Sequence, residues 1–190
     1  NKYIKMIEKD LKDSEKEIKY FYSLPIKIKK EIRVRYPKHL FDIYSTMSTN
    51  NGFLSRPDKM YEFAIKGLNE IEKYSIGKNR NEDLFGAYHV AIISSISNSN
   101  LNDAVYYLNQ SKNIATQLVA SPEGVETVGN FISYQLPFFI NAGLYAEAED
   151  LINFIYNFLE FNADDVLSKL QYYTFNYSLG RINLIKKDYP

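Results

Sequence analysis

The sequence predicts an all-α protein, and three observations carry that prediction. Apolar residues recur at intervals of three and four along nearly the whole chain. Glycine (8) and proline (6) are too few and too scattered for the frequent turns of an all-β protein. The Asn51-Gly52 pair lies between helical patterns rather than between alternating strands.

The elements follow in order. Residues 2–22 carry Ile4, Ile7, Leu11, Ile18 and Phe21, a helix with one apolar stripe. Pro25 opens a second helix that holds Ile26, Ile28 and Ile32 and ends at Tyr36-Pro37. A third covers His39 to Thr49 and stops at Asn50-Asn51-Gly52. Ser55-Arg56-Pro57-Asp58 reads as a cap, a first-turn proline and an acid, opening a helix that runs to about Tyr74. Further helices are expected at about 83–98, 101–118, 126–142, 145–160 and 165–187, with Ser121–Glu126 as a loop and Asn162–Asp165 as a cap. Pro137 is expected to kink the helix that contains it.

Bulk composition narrows the function classes. Hydrophobic residues are 45% and charged residues 24%, enough apolar surface to offset the entropy of ordering. Lys+Arg and Asp+Glu balance at 23 each, but residues 1–38 hold twelve cations against six acids. The densest basic run is Lys27, Lys29, Lys30, Arg33, Arg35 and Lys38. Its interleaved Ile26, Ile28, Ile32 and Val34 read as a helix that buries one side and solvates its cations, so nucleic acid is not the expected partner. No cysteine is present, which excludes disulfides and thiolate metal sites and fits a cytoplasmic location. No apolar run approaches the roughly 20 residues of a membrane helix, so no membrane partner is expected. The opening Asn1-Lys2-Tyr3 and the close on Asp188-Tyr189-Pro190 read as a domain fragment of a longer protein. The two histidines, His39 and His89, lie in different helix pairs. No nucleophile elbow or phosphate loop occurs, so neither enzyme activity nor a cofactor or metal is expected.

Two helix pairs align at a 44-residue offset. Tyr88–Ile92 with Leu101-Asn102-Asp103-Ala104 matches Ile132–Phe139 with Leu144-Tyr145-Ala146-Glu147-Ala148. The stretch Asn141-Ala142-Gly143-Leu144-Tyr145-Ala146-Glu147-Ala148 resembles the turn of the tetratricopeptide (TPR) repeat. There a small residue closes helix A, an aromatic opens helix B, and an alanine three residues on lets the helices approach. Leu179-Gly180 and Tyr189 look like the start of a third unit without its helix B. Tyr44 to Ala64 is a looser earlier unit.

The resemblance implies an antiparallel helix-hairpin α-solenoid stacked as a right-handed superhelix over residues 39–190, with 1–38 as a basic head outside the repeat. It also implies a groove lined by helix A residues. Transferred onto this chain, those are Gly86, His89, Ile93 and Ser97, then Asn130, Ser133, Tyr134, Pro137 and Asn141, then Thr174, Tyr177, Ser178 and Arg181. The groove set of interest is His89, Ser97, Asn130, Tyr134, Asn141, Tyr177 and Arg181. Asn amides would hold a peptide backbone and Arg181 a carboxylate. The expected function is a protein- or peptide-binding scaffold within a larger protein. The alternatives are the peptide-sensing TPR domain of a transcriptional regulator, or a helical enzyme without a recognisable motif. A contact through residues 1–38 or the terminal tyrosines would make the chain a homo-oligomer.

Overall fold

The computed structural model describes residues 2–77, 79–158 and 166–188. Among them are nine helices and no strand: α1 (Lys2–Ser23), α2 (Ile26–Arg35), α3 (His39–Phe53), α4 (Pro57–Tyr74), α5 (Arg80–Ser97), α6 (Leu101–Leu118), α7 (Pro122–Asn141), α8 (Tyr145–Tyr156) and α9 (Val166–Asp188). The all-α expectation holds. The chain divides into two compact units, residues 1–114 and 115–190.

In the first unit α1 is built into the core. Ile7, Leu11 and Phe21 of α1 pack with Leu40, Ile43, Tyr44 and Met47 of α3. The two helices run antiparallel, since the rings of Tyr3 and Phe53 meet at one end and Glu17 and His39 toward the other. A second cluster joins Phe41 of α3, Leu68 and Ile71 of α4, and Leu84, Ala87, Tyr88 and Ala91 of α5, with Tyr107 and Ile114 of α6 against it. Gly67 permits the close approach of α4 to α3, because a methyl there would stand 3.2 Å from the Phe41 ring and 3.3 Å from Tyr44 Cβ.

In the second unit α7 packs against α8 and α9. Val128, Leu136, Phe139, Ile152, Ile155, Phe175 and Ile182 are the largest of its fully buried apolar side chains among the described residues. Two contacts set the direction of α9. Gln171 Nε2 donates to Asn130 Oδ1 (2.8 Å) in the first half of α7. Lys186 Nζ reaches Glu149 at the start of α8 (2.6 Å), where α7 has just ended. So α9 runs alongside α7 in the same sense.

The three hairpin turns share one geometry on one interval. The residues with left-handed backbone at the ends of α3, α5 and α7 are Ser55 (φ 56°), Ser99 (φ 60°) and Gly143 (φ 77°), successively 44 residues apart. In each, the following N–H reaches back five residues: Arg56 to Asn51 O (2.9 Å), Asn100 to Ser95 O (2.8 Å) and Leu144 to Phe139 O (2.9 Å). This is the Schellman arrangement, which satisfies carbonyls that a helix end leaves open. Burial recurs on the same interval: Leu40, Leu84 and Val128; Met47, Ala91 and Gln135; and, in the second helix of each hairpin, Ala64, Leu108 and Ile152.

The early hairpin lacks the turn alanine for a steric reason. Ala104 and Ala148 are fully buried, but the equivalent residue is Met60, whose Sδ lies 3.0 Å from where a Gly52 Cβ would stand. The positions equivalent to Gly52 hold Ile96 and Ile140. Large and small have changed places across the pair, which conserves the volume between the two helices.

Several expectations need correction. Asn50-Asn51-Gly52 is not a stop, since α3 continues to Phe53. Ser55 is not a cap side chain but the left-handed residue of the turn, and Arg56 stands in the cap position with no side-chain hydrogen bond. Ser121–Glu126 is not a loop: Ser121 Oγ accepts from Gly124 N (3.1 Å) and Pro122 begins α7. Arg33 is not solvated with its neighbours but half-buried against Glu70. The expected cap at Asn162–Asp165 and the turn residue Tyr189 lie outside the described residues.

Candidate functional site

The groove residues taken from the sequence divide between the units, His89 and Ser97 in the first and the other five in the second. On α7, Asn130, Tyr134, Pro137 and Asn141 fall at helical spacing on one face, and all four are exposed. Tyr134 is 61% exposed, its ring tilted against Phe138 at 5.9 Å. Ser133, one step round, donates back to Gly129 O (2.9 Å). On the adjacent α9, Tyr177 is 69% exposed and Arg181, one turn later, is half-buried. Asn130 is positioned from outside its own helix by Gln171, whose amide sits over Gly129, with 3.0 Å from Oε1 to an added Cβ. A side chain at 129 would push that amide aside.

Two transferred positions belong to the core instead. Ile93 (6% exposed) and Ser178 (4%) face inward. The buried face of α9, Gln171, Phe175, Ser178 and Ile182, matches Val128, Ile132, Gln135 and Phe139 of α7 at an offset of 43 rather than 44 residues. One residue of slip turns a helix by about 100°, enough to move Ser178 from the open face to the buried one.

His89 lies half-buried on α5, and burial pushes its imidazole down to about 4. Its folded-state value is thus below the unfolded one, so the unfolded chain binds more protons between about pH 6.5 and 4. Stability contributed by the neutral ring is present above that window and lost as pH falls through it. Allowing for partial exposure, wild-type stability should drop by about 2 kcal/mol more than that of His89→Gln between pH 7 and 4.5. Urea unfolding of both proteins at the two pH values reads this difference directly.

A feature the sequence reading missed is an open cleft of about 870 Å³ in the first unit, where Tyr36, Lys38, His39 and Asp42 face Asn79 and Asp83. Lys38 Nζ stands 3.9 Å from Asp83 and 4.0 Å from Asp42. Ser75 Oγ donates to Asp83 (2.9 Å), and His39 Nε2 is 3.3 Å from Glu17. Asp42 and Asp83 thus share the Lys38 ammonium, and Asp83 also accepts from Ser75, contacts that tie the α2–α3 connection to the start of α5. Nothing in the sequence marks the cleft, because its walls come from segments some 40 residues apart.

Elsewhere, Tyr61 OH donates to Asp103 (2.6 Å) and Tyr88 OH to Glu72 (2.8 Å). Burial and the adjoining carboxylates raise both phenols, so they serve as neutral donors that tie helices together. Among the described residues, no group of three or more His, Asp or Glu could hold a metal ion. Fold and site together define an all-α protein of helix hairpins on a 44-residue interval, with a polar, tyrosine-bearing open face on α7 and α9. No protein-family model, curated protein or solved structure matches this chain.

Proposed function

We propose that the chain is a protein- or peptide-binding scaffold domain of TPR-like repeats, stacked as a right-handed solenoid within a larger cytoplasmic protein, and that it is not an enzyme. The identical hairpin turns at Ser55, Ser99 and Gly143 support the repeat reading. The parallel course of α7 and α9 supports the stacking.

The observation that carries the binding role is the outward face of the second unit. Amides at Asn130 and Asn141 flank Tyr134, and Tyr177 extends the face onto the next helix. Amides can donate to and accept from an extended backbone at once, and exposed tyrosines offer apolar area at low entropic cost. Arg181 supplies the cation for a peptide carboxylate.

The test is selection of a random-peptide phage library on the immobilised chain, followed by titration of the enriched peptides. Tyr134→Ala with Asn141→Ala should weaken their binding at least tenfold while the circular dichroism spectrum is unchanged. Failure to enrich any sequence, or equal binding by the double variant, would overturn the assignment.

A further inference from the structure

Helix α2 contributes no buried side chain to the protein. Ile32 packs against the α1–α3 core, Arg33 bonds Glu70, and Lys29 Nζ donates to Tyr22 O (3.2 Å). At 100° per residue these three share one side of the helix. Ile26, Lys27, Lys30 and Val34 fall within about 100° of one another on the adjoining arc, and all four are exposed.

The exposed arc is aliphatic as well as basic. Ile26 is 72% and Val34 67% exposed, and Tyr36, just past the helix, is 64% exposed. From residue 26 to 38 there are six cations and a single acid, Glu31, which pairs with Arg35. No ion pair among the described residues engages Lys27 or Lys30.

Cations alone would suit any polyanion. The aliphatic pair decides between them. A phosphate backbone offers nothing to a branched aliphatic tip, whereas the boundary between headgroups and acyl chains does. Lysines beside those tips can lay their methylene stems along the boundary and keep their ammonium groups at the phosphates.

We propose that α2 is a surface anchor that lies on an anionic lipid bilayer, with Ile26 and Val34 at the acyl boundary and Lys27 and Lys30 on the headgroups. This is adsorption and not insertion, since among the described residues no helix is long and apolar enough to cross a membrane. The proposal is independent of the peptide face on α7 and α9.

Co-sedimentation of the whole chain with vesicles tests it. The chain should pellet with phosphatidylcholine vesicles containing about a third phosphatidylserine, far less with phosphatidylcholine alone, and less as salt is raised. Ile26→Ser with Val34→Ser, and separately Lys27→Glu with Lys30→Glu, should each reduce partitioning at least tenfold. Neither pair removes a buried contact, so both proteins should keep the wild-type circular dichroism. Three results would overturn the assignment: no pelleting with phosphatidylserine vesicles, full binding by the Ser variant, or binding of a short DNA duplex, lost in the Glu variant, with vesicles ignored. The last would make α2 a nucleic-acid contact instead.

Discussion

Glu70→Ala should release α2 from the protein while leaving the rest of the first unit folded. The Arg33 guanidinium donates twice to the Glu70 carboxylate, at 2.9 Å from Nε and 2.6 Å from the terminal nitrogen. Their side chains are only 16% and 12% exposed. The pair is flanked by the ring of Phe21, 5.0 Å from the guanidinium carbon, and that of Tyr74 at 4.5 Å. Hydrogen bonding to Glu70 raises Arg33 further above its already high value, so it stays charged at every accessible pH.

Taking away the carboxylate leaves a half-buried cation with ring faces but no counter-charge. Removing one partner of a buried pair costs about 3–5 kcal/mol, and the partial exposure here places the cost near the lower end, about 3 kcal/mol. Because α2 has no buried side chain and Ile32 is only partly buried against the core, the cheapest response is for the helix to lift and return Arg33 to water. Hydrogen exchange should therefore show lost protection across residues 26–35, with little change in α4 and α5. Replacing both residues, Arg33→Met with Glu70→Leu, should restore most of it, since an apolar pair removes the desolvation cost along with the attraction. Unchanged protection in Glu70→Ala would show that the ion pair does not hold the helix.

Gly124→Ala is expected to be the most damaging methyl addition in the chain. A Cβ at 124 would lie 1.8 Å from the Leu118 carbonyl oxygen and 2.6 Å from its carbon. Both are backbone atoms, so no rotamer change relieves the clash; the turn after α6 or the first turn of α7 must move. Such overpacking costs about 3 kcal/mol, which in a chain of this size lowers the melting temperature by about 10 °C. Ser121→Ala separates the clash from the cap, removing only the hydrogen bond to Gly124 N for about 1 kcal/mol. Gly86→Ala is the opposite control, for it meets nothing within 4 Å and should stabilise α5 slightly. Thermal unfolding followed at 222 nm would rank the three. Equal melting of Gly124→Ala and wild type would mean that the turn is free to rearrange.

Helix existence was legible because three-and-four spacing is a direct image of the buried stripe, as Ile7, Leu11 and Phe21 show in α1. Turns were less so. Glycine at 52 reads as a stop, yet it is an interior helix residue whose missing side chain makes room for Met60. The real turn falls on Ser55, a residue with no general preference for left-handed backbone. At α7 the cap, first-turn proline and acid are Ser121-Pro122-Glu123, with no apolar residue between them and Val125 to extend the helical spacing to the true start.

Asn130, Tyr134, Pro137 and Asn141 are exposed on α7, where the interval is 44, whereas Ser178 is buried on α9, where it is 43. Arg33 could not be told from its neighbours in the basic run, because its partner Glu70 lies 37 residues away. The cleft beside Lys38 had no local mark for the same reason.

The exchange of large and small between Gly52–Met60 and its counterparts Ile96–Ala104 and Ile140–Ala148 bears on how such a chain can be shuffled. Recombination at the end of a second helix would pass on a matched pair whole. A crossover inside a hairpin would join Ile96 to a methionine, or Gly52 to an alanine, and leave the seam overfilled or hollow. The hairpin is thus the smallest heritable cassette. A first-type half and a second-type half are like lock parts cut to different keys, even though the backbone around them is the same.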